Sequence, residues 1–235
     1  ALAVVILGLF NICIGTVEIP LRSVVRILFG EEAEESEICR NIILKSRLPQ
    51  TLTALMAGAG LSVSGLQMQT VFRNPLAGPS VLGISSGASL GVALVVLVSG
   101  IGGHALSRLG YFGNLALTVS AIVGALAVMA LIAFISQKVK GNVTLLILGV
   151  MIGYVANAII GVLKFFSVEE DIRAYVIWGL GSFARVSGNQ VTLFVTVMAV
   201  LLPLSMLLVK TLNLLLLGDR YARNLGLDIR HARLW

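Results

Sequence analysis

The groups in this chain that could do chemistry are few and poorly grouped. Carboxylates crowd into GEEAEESE at 30–37, where Glu31, Glu32, Glu34, Glu35 and Glu37 offer the oxygens that a hard cation takes. Their spacing matches no calcium loop, and a solvated loop is the plainer reading. Glu169, Glu170 and Asp171 are the only carboxylates that could serve a membrane-embedded transferase, against the simpler reading of a charged loop. His104 and His231 are far apart in sequence, and no metal-ligand spacing is present. Cys13 lies in an apolar run and Cys39 in the acidic segment, so no disulfide is expected between them. The chain has no GKS or GKT phosphate loop, no HExxH and no convincing Ser, His and Asp set. These absences point away from covalent catalysis and toward a role in which position matters more than reactivity.

The elements that must position such residues are set by hydropathy. Of the 235 residues, 57% are hydrophobic and 12% charged, with mean hydropathy +1.00; soluble domains carry about 25% charged residues. This is the composition of a multi-pass membrane protein, an all-α bundle, since hydrocarbon offers no partner to an unpaired backbone amide. From Leu48 to Val71 no residue is charged, longer than the ~20 residues that cross a bilayer core. Apolar runs at 1–17, 48–71, 81–103, 112–135, 143–163 and 191–209 predict six spans within one transmembrane domain, 1–235. The opening ALAVVILGLF has no initiator Met and no basic stretch, and reads as a first membrane helix lacking its beginning, not as an intact signal peptide. The net charge of +6, from 17 Lys and Arg against 11 Asp and Glu, fits cytoplasmic loops; no basic face with interleaved aromatics points to nucleic acid. Lys and Arg divide almost equally between alternate sides, so the count leaves the orientation undecided.

Small and polar residues then mark where helices meet. Gly83, Gly87 and Gly91 recur on the third span, and Gly149, Gly153, Asn157 and Gly161 on the fifth. Such stripes let backbones approach; on the fifth span a polar path is an equal alternative, with Tyr154 three residues from Asn157. Ser62, Ser64, Gln67 and Gln69 lie on more than one face of the second span and predict a central helix wrapped by others. Lys164 is the only charged residue deep in a span. Segment 167–190 predicts a short interfacial helix with Tyr175 and Trp178 at the membrane surface. The basic stretch 210–235 carries Arg220, Arg223, Arg230 and Arg233, and within it 219–225 predicts two helical turns stopped by Gly226 in a left-handed conformation, a docking element.

Four motifs in fixed order, RLPQ at 47–50, RNPLAGPSVLGISSGASLG at 73–91, VIWGLGSF at 176–183 and LGDRYARNLGLDIR at 217–230, resemble the FecCD family. These are the type II permeases of bacterial ABC importers for iron-siderophore complexes, haem and cobalamin. The resemblance implies ten membrane helices in the bacterial inner membrane, of which this sequence reaches the sixth. It implies a homodimer with the path at its interface, an ABC-type ATPase on the cytoplasmic side and a substrate-binding protein outside. ATP and Mg belong to the ATPase, and no cofactor is implied for this chain. Gly218, Asp219, Ala222, Leu225 and Gly226 match the family's ATPase-coupling helix, with Arg220, Tyr221 and Arg223 at its variable positions. Arg47 matches an outer arginine that docks the binding protein in the vitamin B12 member, where Gln50 stands in place of a second arginine. Gly141, Asn142 and Val143 fall at the family's inner gate, although small hydroxyl residues stand there in the B12 member. The resemblance implies alternating access driven by ATP. The competing reading, a secondary transporter or channel without an ATPase, calls for broken helices with ionisable residues near the bilayer midplane.

Overall fold

The computed structural model describes residues 2–15, 17, 19–28, 37–98, 111–139, 141–183, 186 and 188–228. The carboxylates at 31–35, both histidines, Arg230 and Arg233 lie outside the described residues. Among the described residues the regular structure is helical: α1 (Leu2–Cys13), α2 (Leu21–Leu28), α3 (Glu37–Ile42), a π-helical turn (Ile43–Arg47), α4 (Leu48–Phe72), α5 (Ile84–Ala93), a second π-helical turn (Leu94–Val98), α6 (Tyr111–Ser136), α7 (Asn142–Phe166), α8 (Glu169–Gly179), α9 (Asn189–Met206), α10 (Val209–Leu216) and α11 (Asp219–Asn224).

Two of these helices are long and apolar enough to cross a bilayer, Gly113–Ser136 within α6 and Val143–Phe166 within α7. The consecutive pair Gln190–Met206 and Val209–Leu216 passes the same test only when taken together, with Pro203 inside α9 removing a helical amide. Of the six predicted spans, two pass this test outright among the described residues and a third only as a bent pair. The remaining three fall short for separate reasons. α1 has 12 residues and α5 has 10 before its π turn. α4 has 25 residues, but its Thr, Ser and Gln lower its apolarity.

The chain divides into two compact units, Ala1–Val63 with Ser182–Leu207, and Ser64–Gly181 with Leu208–Trp235. In the first, Ile12, Ile19, Val24, Ile27 and Ile43 form a buried cluster that joins α1, α2 and the first π turn, flanked by Cys13, Cys39, Ile42 and Leu48. Neither cysteine is in a disulfide. In the second, Val92, Ala93, Val96, Ile160 and Tyr175 bring α5, its π turn, α7 and α8 together.

The hydroxyls of α4 bond largely within the helix, with Thr51 also reaching Asn11 of α1. Thr51, Thr53 and Thr70 each donate to the carbonyl four residues back at 2.8 Å, and Ser62 to Gly58 O at 2.9 Å. A hydroxyl bonded within its own helix needs no neighbour. Leu61 and Leu66 are each 65% exposed.

Candidate functional site

The segment that reads as a docking element is a short helix with a defined stop at each end. Gly218, at φ 107° and ψ 148°, precedes α11, and the Ala222 amide donates to its carbonyl at 2.9 Å. At the other end Gly226 is left-handed, φ 86°. Its amide donates to Arg223 O, and the Leu227 amide reaches back to Ala222 O, each at 3.0 Å. This pair of bonds closes a helix around a left-handed residue and satisfies carbonyls that would otherwise be orphaned. Ala222 is fully buried, whereas Tyr221, Arg223 and Asn224 are exposed and Leu225 is 61% exposed. The helix is held by a methyl group and presents an aromatic ring, a guanidinium and an isobutyl group outward. Asp219 and Arg220 form its first turn. Gly226→Ala is expected to cost about 1 kcal/mol, the penalty of a Cβ at positive φ. The check is limited proteolysis, with faster cleavage within 217–228 and unchanged global melting.

The glycine stripes lie where helices cross. A Cβ on Gly91 would fall on the Ser120 carbonyl of α6, and one on Gly87 would meet Val128 and, at 2.7 Å, Gly124 O. Gly124 itself faces the Gly87 carbonyl. This partner glycine was not picked out from sequence, because a stripe on one helix says only that something comes close. Gly83, left-handed at φ 73°, lies against α7, where its Cβ would be 2.7 Å from Gly149 O and 3.0 Å from Gly153 N. A Cβ on Gly149 would be 2.9 Å from Leu82 Cα, while Gly161 has open space around it. Asn157 finds its partner on α5, not in Tyr154: its Nδ2 donates to Ser86 Oγ at 3.4 Å, a long bond. Tyr154 is 70% exposed and Asn157 is exposed as well. Gly141, at φ 120°, precedes α7, Asn142 opens the helix and Val143 is exposed.

Arg47 is not exposed. It closes the first π turn, is 6% accessible, and its guanidinium donates to Ile12 O and Cys13 O at 2.9 Å each and also to Val17 O. These carbonyls lie at and just beyond the C-terminus of α1, where helical partners run out and the dipole is negative. Gly15 packs against the same guanidinium, its Cβ position only 2.5 Å from Nη2. Thr51 completes the cluster: its hydroxyl lies 2.8 Å from Arg47 O and 2.8 Å from the Asn11 carboxamide. Its single proton goes to one of these two oxygens, Arg47 O or Asn11 Oδ1, at a time.

The short helix predicted within 167–190 is α8, Glu169–Gly179, with Asp171 and Tyr175 on its buried side. Glu169, Glu170 and Asp171 form the first turn of α8, where carboxylates complement the positive end of the dipole. Tyr175 is buried in the core of its unit, against α5, its π turn and α7. Lys164 Nζ sits 4.8 Å above that ring, a cation–π contact worth about 0.5–2 kcal/mol. Burial pushes the Tyr175 phenol above its ordinary value, and a hydrogen bond with Ser89 acts the other way.

With this geometry in hand, likenesses to known proteins fall into one group. A family model described as the FecCD transport family matches residues 3–235. The hemin transport system permease protein HmuU of Yersinia pestis is 35% identical over 195 residues, 83% of this chain and 57% of that one. A Helicobacter pylori protein named as a probable iron chelatin transport system permease is 36% identical over 229 residues, 88% of this chain and 65% of its own. The vitamin B12 import system permease protein BtuC of Escherichia coli is 36% identical over 183 residues, covering 78% and 53%. The chain therefore spans between about half and two thirds of the length of these relatives. A solved structure described as a metal-chelate type ABC transporter in an inward-facing conformation superposes with TM-score 0.77 at 28% identity, over 99% of this chain and 68% of that one. The helical architecture, the four motifs and a match running from residue 3 to 235 together place this chain in the FecCD transport family.

Proposed function

We propose that this chain is the membrane-spanning permease part of an ATP-driven importer that moves an iron-siderophore, haem or corrinoid-type metal chelate across the bacterial inner membrane by alternating access. The permease would be multi-pass and homodimeric, with the path between the two copies. A separate ABC-type ATPase would use ATP and Mg on the cytoplasmic face, and a binding protein would deliver substrate from outside. The chain itself would bind no cofactor. The observation that carries this reading is α11: a two-turn helix, closed at both ends, anchored by Ala222 and offering Tyr221, Arg223 and Leu225 outward. A capped element of this kind moves as a body when pushed, which suits transmission between subunits. The names of the relatives supply the substrate class, since haem, iron chelatin and vitamin B12 are all large metal chelates.

The test is Leu225→Asp in the full-length protein, co-expressed with its ATPase and reconstituted in proteoliposomes. Leu225 is exposed, so the change leaves the fold intact. Loss of an apolar contact buried at the interface is expected to weaken ATPase association by about 2 kcal/mol, roughly thirtyfold, and to abolish substrate-stimulated hydrolysis. A wild-type protein that associates with no ATPase would move the secondary transporter or channel reading to the front.

A further inference from the structure

α4 ends at Phe72, and the residue that follows takes an uncommon conformation. Arg73 has φ 48°, the one positive φ outside glycine among the described residues. The turn around it is an ordinary helix stop: the Arg73 amide donates to Thr70 O at 3.2 Å and the Asn74 amide to Gln69 O at 3.1 Å. Glycine is the usual occupant of the left-handed place in such a stop, because any Cβ there is crowded by the following carbonyl. Holding an arginine in it keeps a local strain that a glycine would relieve, and strain of this kind persists where the side chain has a use.

The use is visible at the other end of that side chain. Arg73 Nε donates to Leu215 O at 3.1 Å, across 142 positions of sequence. Leu215 is buried and belongs to the last turn of α10, whose terminal carbonyls carry the negative end of the dipole; its carbonyl also accepts from the Gly218 amide at 3.2 Å, so the guanidinium and the start of α11 meet on one oxygen. Leu216 ends α10, Leu217 and Gly218 follow, and α11 begins at Asp219. The guanidinium therefore holds the root of the exposed helix. On its own side, Arg73 opens a packed turn in which Ala77 and Leu82 are buried and Gly83 lies against Gly149 of α7.

We propose that Arg73 is a positioning residue that fastens the turn 73–83 to the root of α11, so that a displacement of α11 is delivered to the α5 and α7 packing at Gly83 and Gly149. This rests on the reading of α11 as the ATPase contact. Contiguity alone does not establish coupling; what does is a variant that separates motion from stability. The proposal makes such a variant available, because glycine at 73 removes the guanidinium while relieving the backbone.

The experiment uses the full-length protein reconstituted with its ATPase and binding protein, and measures three quantities: ATPase co-purification, ATP hydrolysis, and chelate uptake per ATP hydrolysed. Arg73→Gly is expected to melt no lower than wild type and to retain the ATPase and its hydrolysis, while uptake per ATP falls about tenfold. Arg73→Gln keeps the L-residue strain and a neutral donor, and is expected to fall between the two; it carries the test if the glycine variant does not fold. Uptake per ATP equal to wild type in both variants would overturn the proposal. So would a lowered melting temperature with uptake and hydrolysis reduced in equal proportion, the signature of a staple that only stabilises. Failure of the wild type to associate with an ATPase is seen before any variant is made, and would remove the functional reading along with the proposal.

Discussion

Arg47→Met is expected to destabilise the N-terminal helices by about 3–5 kcal/mol, read as early thermal unfolding of the detergent-solubilised full-length protein. Methionine keeps most of the apolar stem. What it removes is a charged fork whose donors satisfy the carbonyls of Ile12, Cys13 and Val17. Those carbonyls lie at and just beyond the end of α1, and an unsatisfied buried acceptor costs about 1–3 kcal/mol. Arg47→Lys is expected to recover part of the loss, because an ammonium is a compact point donor that cannot match a planar fork. The competing expectation, that this arginine docks a binding protein, has a different signature. It predicts unchanged melting in both variants and a loss of binding-protein affinity in Arg47→Met. The two results are mutually exclusive, so one series decides between them.

Gly91→Ala is expected to destabilise the α5–α6 crossing by about 2–3 kcal/mol, whereas Gly58→Ala on α4 is expected to stabilise by about 0.5–1 kcal/mol. The chemical change is identical, and only the surroundings differ. At 91 the new methyl lands on the Ser120 backbone carbonyl, which can move only if α6 moves; at 58 nothing lies within 4 Å. Opposite shifts in melting under the same detergent would confirm close approach of α5 and α6. Equal shifts would mean that the crossing is looser than the structure shows.

How much of this was legible beforehand differs from residue to residue. The two turns of α11 and the left-handed Gly226 were readable, since a glycine just past a short amphipathic run has one common meaning. The close approach at Gly83, Gly87 and Gly91 was readable as well, but not the identity of Gly124 as partner. Arg73 gave no sign of its conformation, because left-handed positions are recognised by glycine or asparagine and an arginine hides one. The burial of Tyr175 was not legible for a related reason: an aromatic ring beside a tryptophan on a short amphipathic helix looks the same whether it faces lipid or core. Arg47 was ambiguous because a cation at a helix end can face solvent or cap a neighbour, and only the path of residues 12–17 decides which.

The π-helical turn at Ile43–Arg47 has a consequence of its own. The Leu48 amide donates to Ile43 O, five residues back in place of four, so this turn holds one residue more than its neighbours. That surplus residue sets the phase between α3 and α4. It lets Ile43 reach the cluster with Ile12 and Val24 while Arg47, from the same turn, reaches the end of α1. Excising any one residue here would leave every neighbouring side chain chemically unchanged, yet would rotate one helix against the other by about 100°, the angle between successive residues. The alignment of these two helices is thus encoded as a length, indifferent to which residue supplies it.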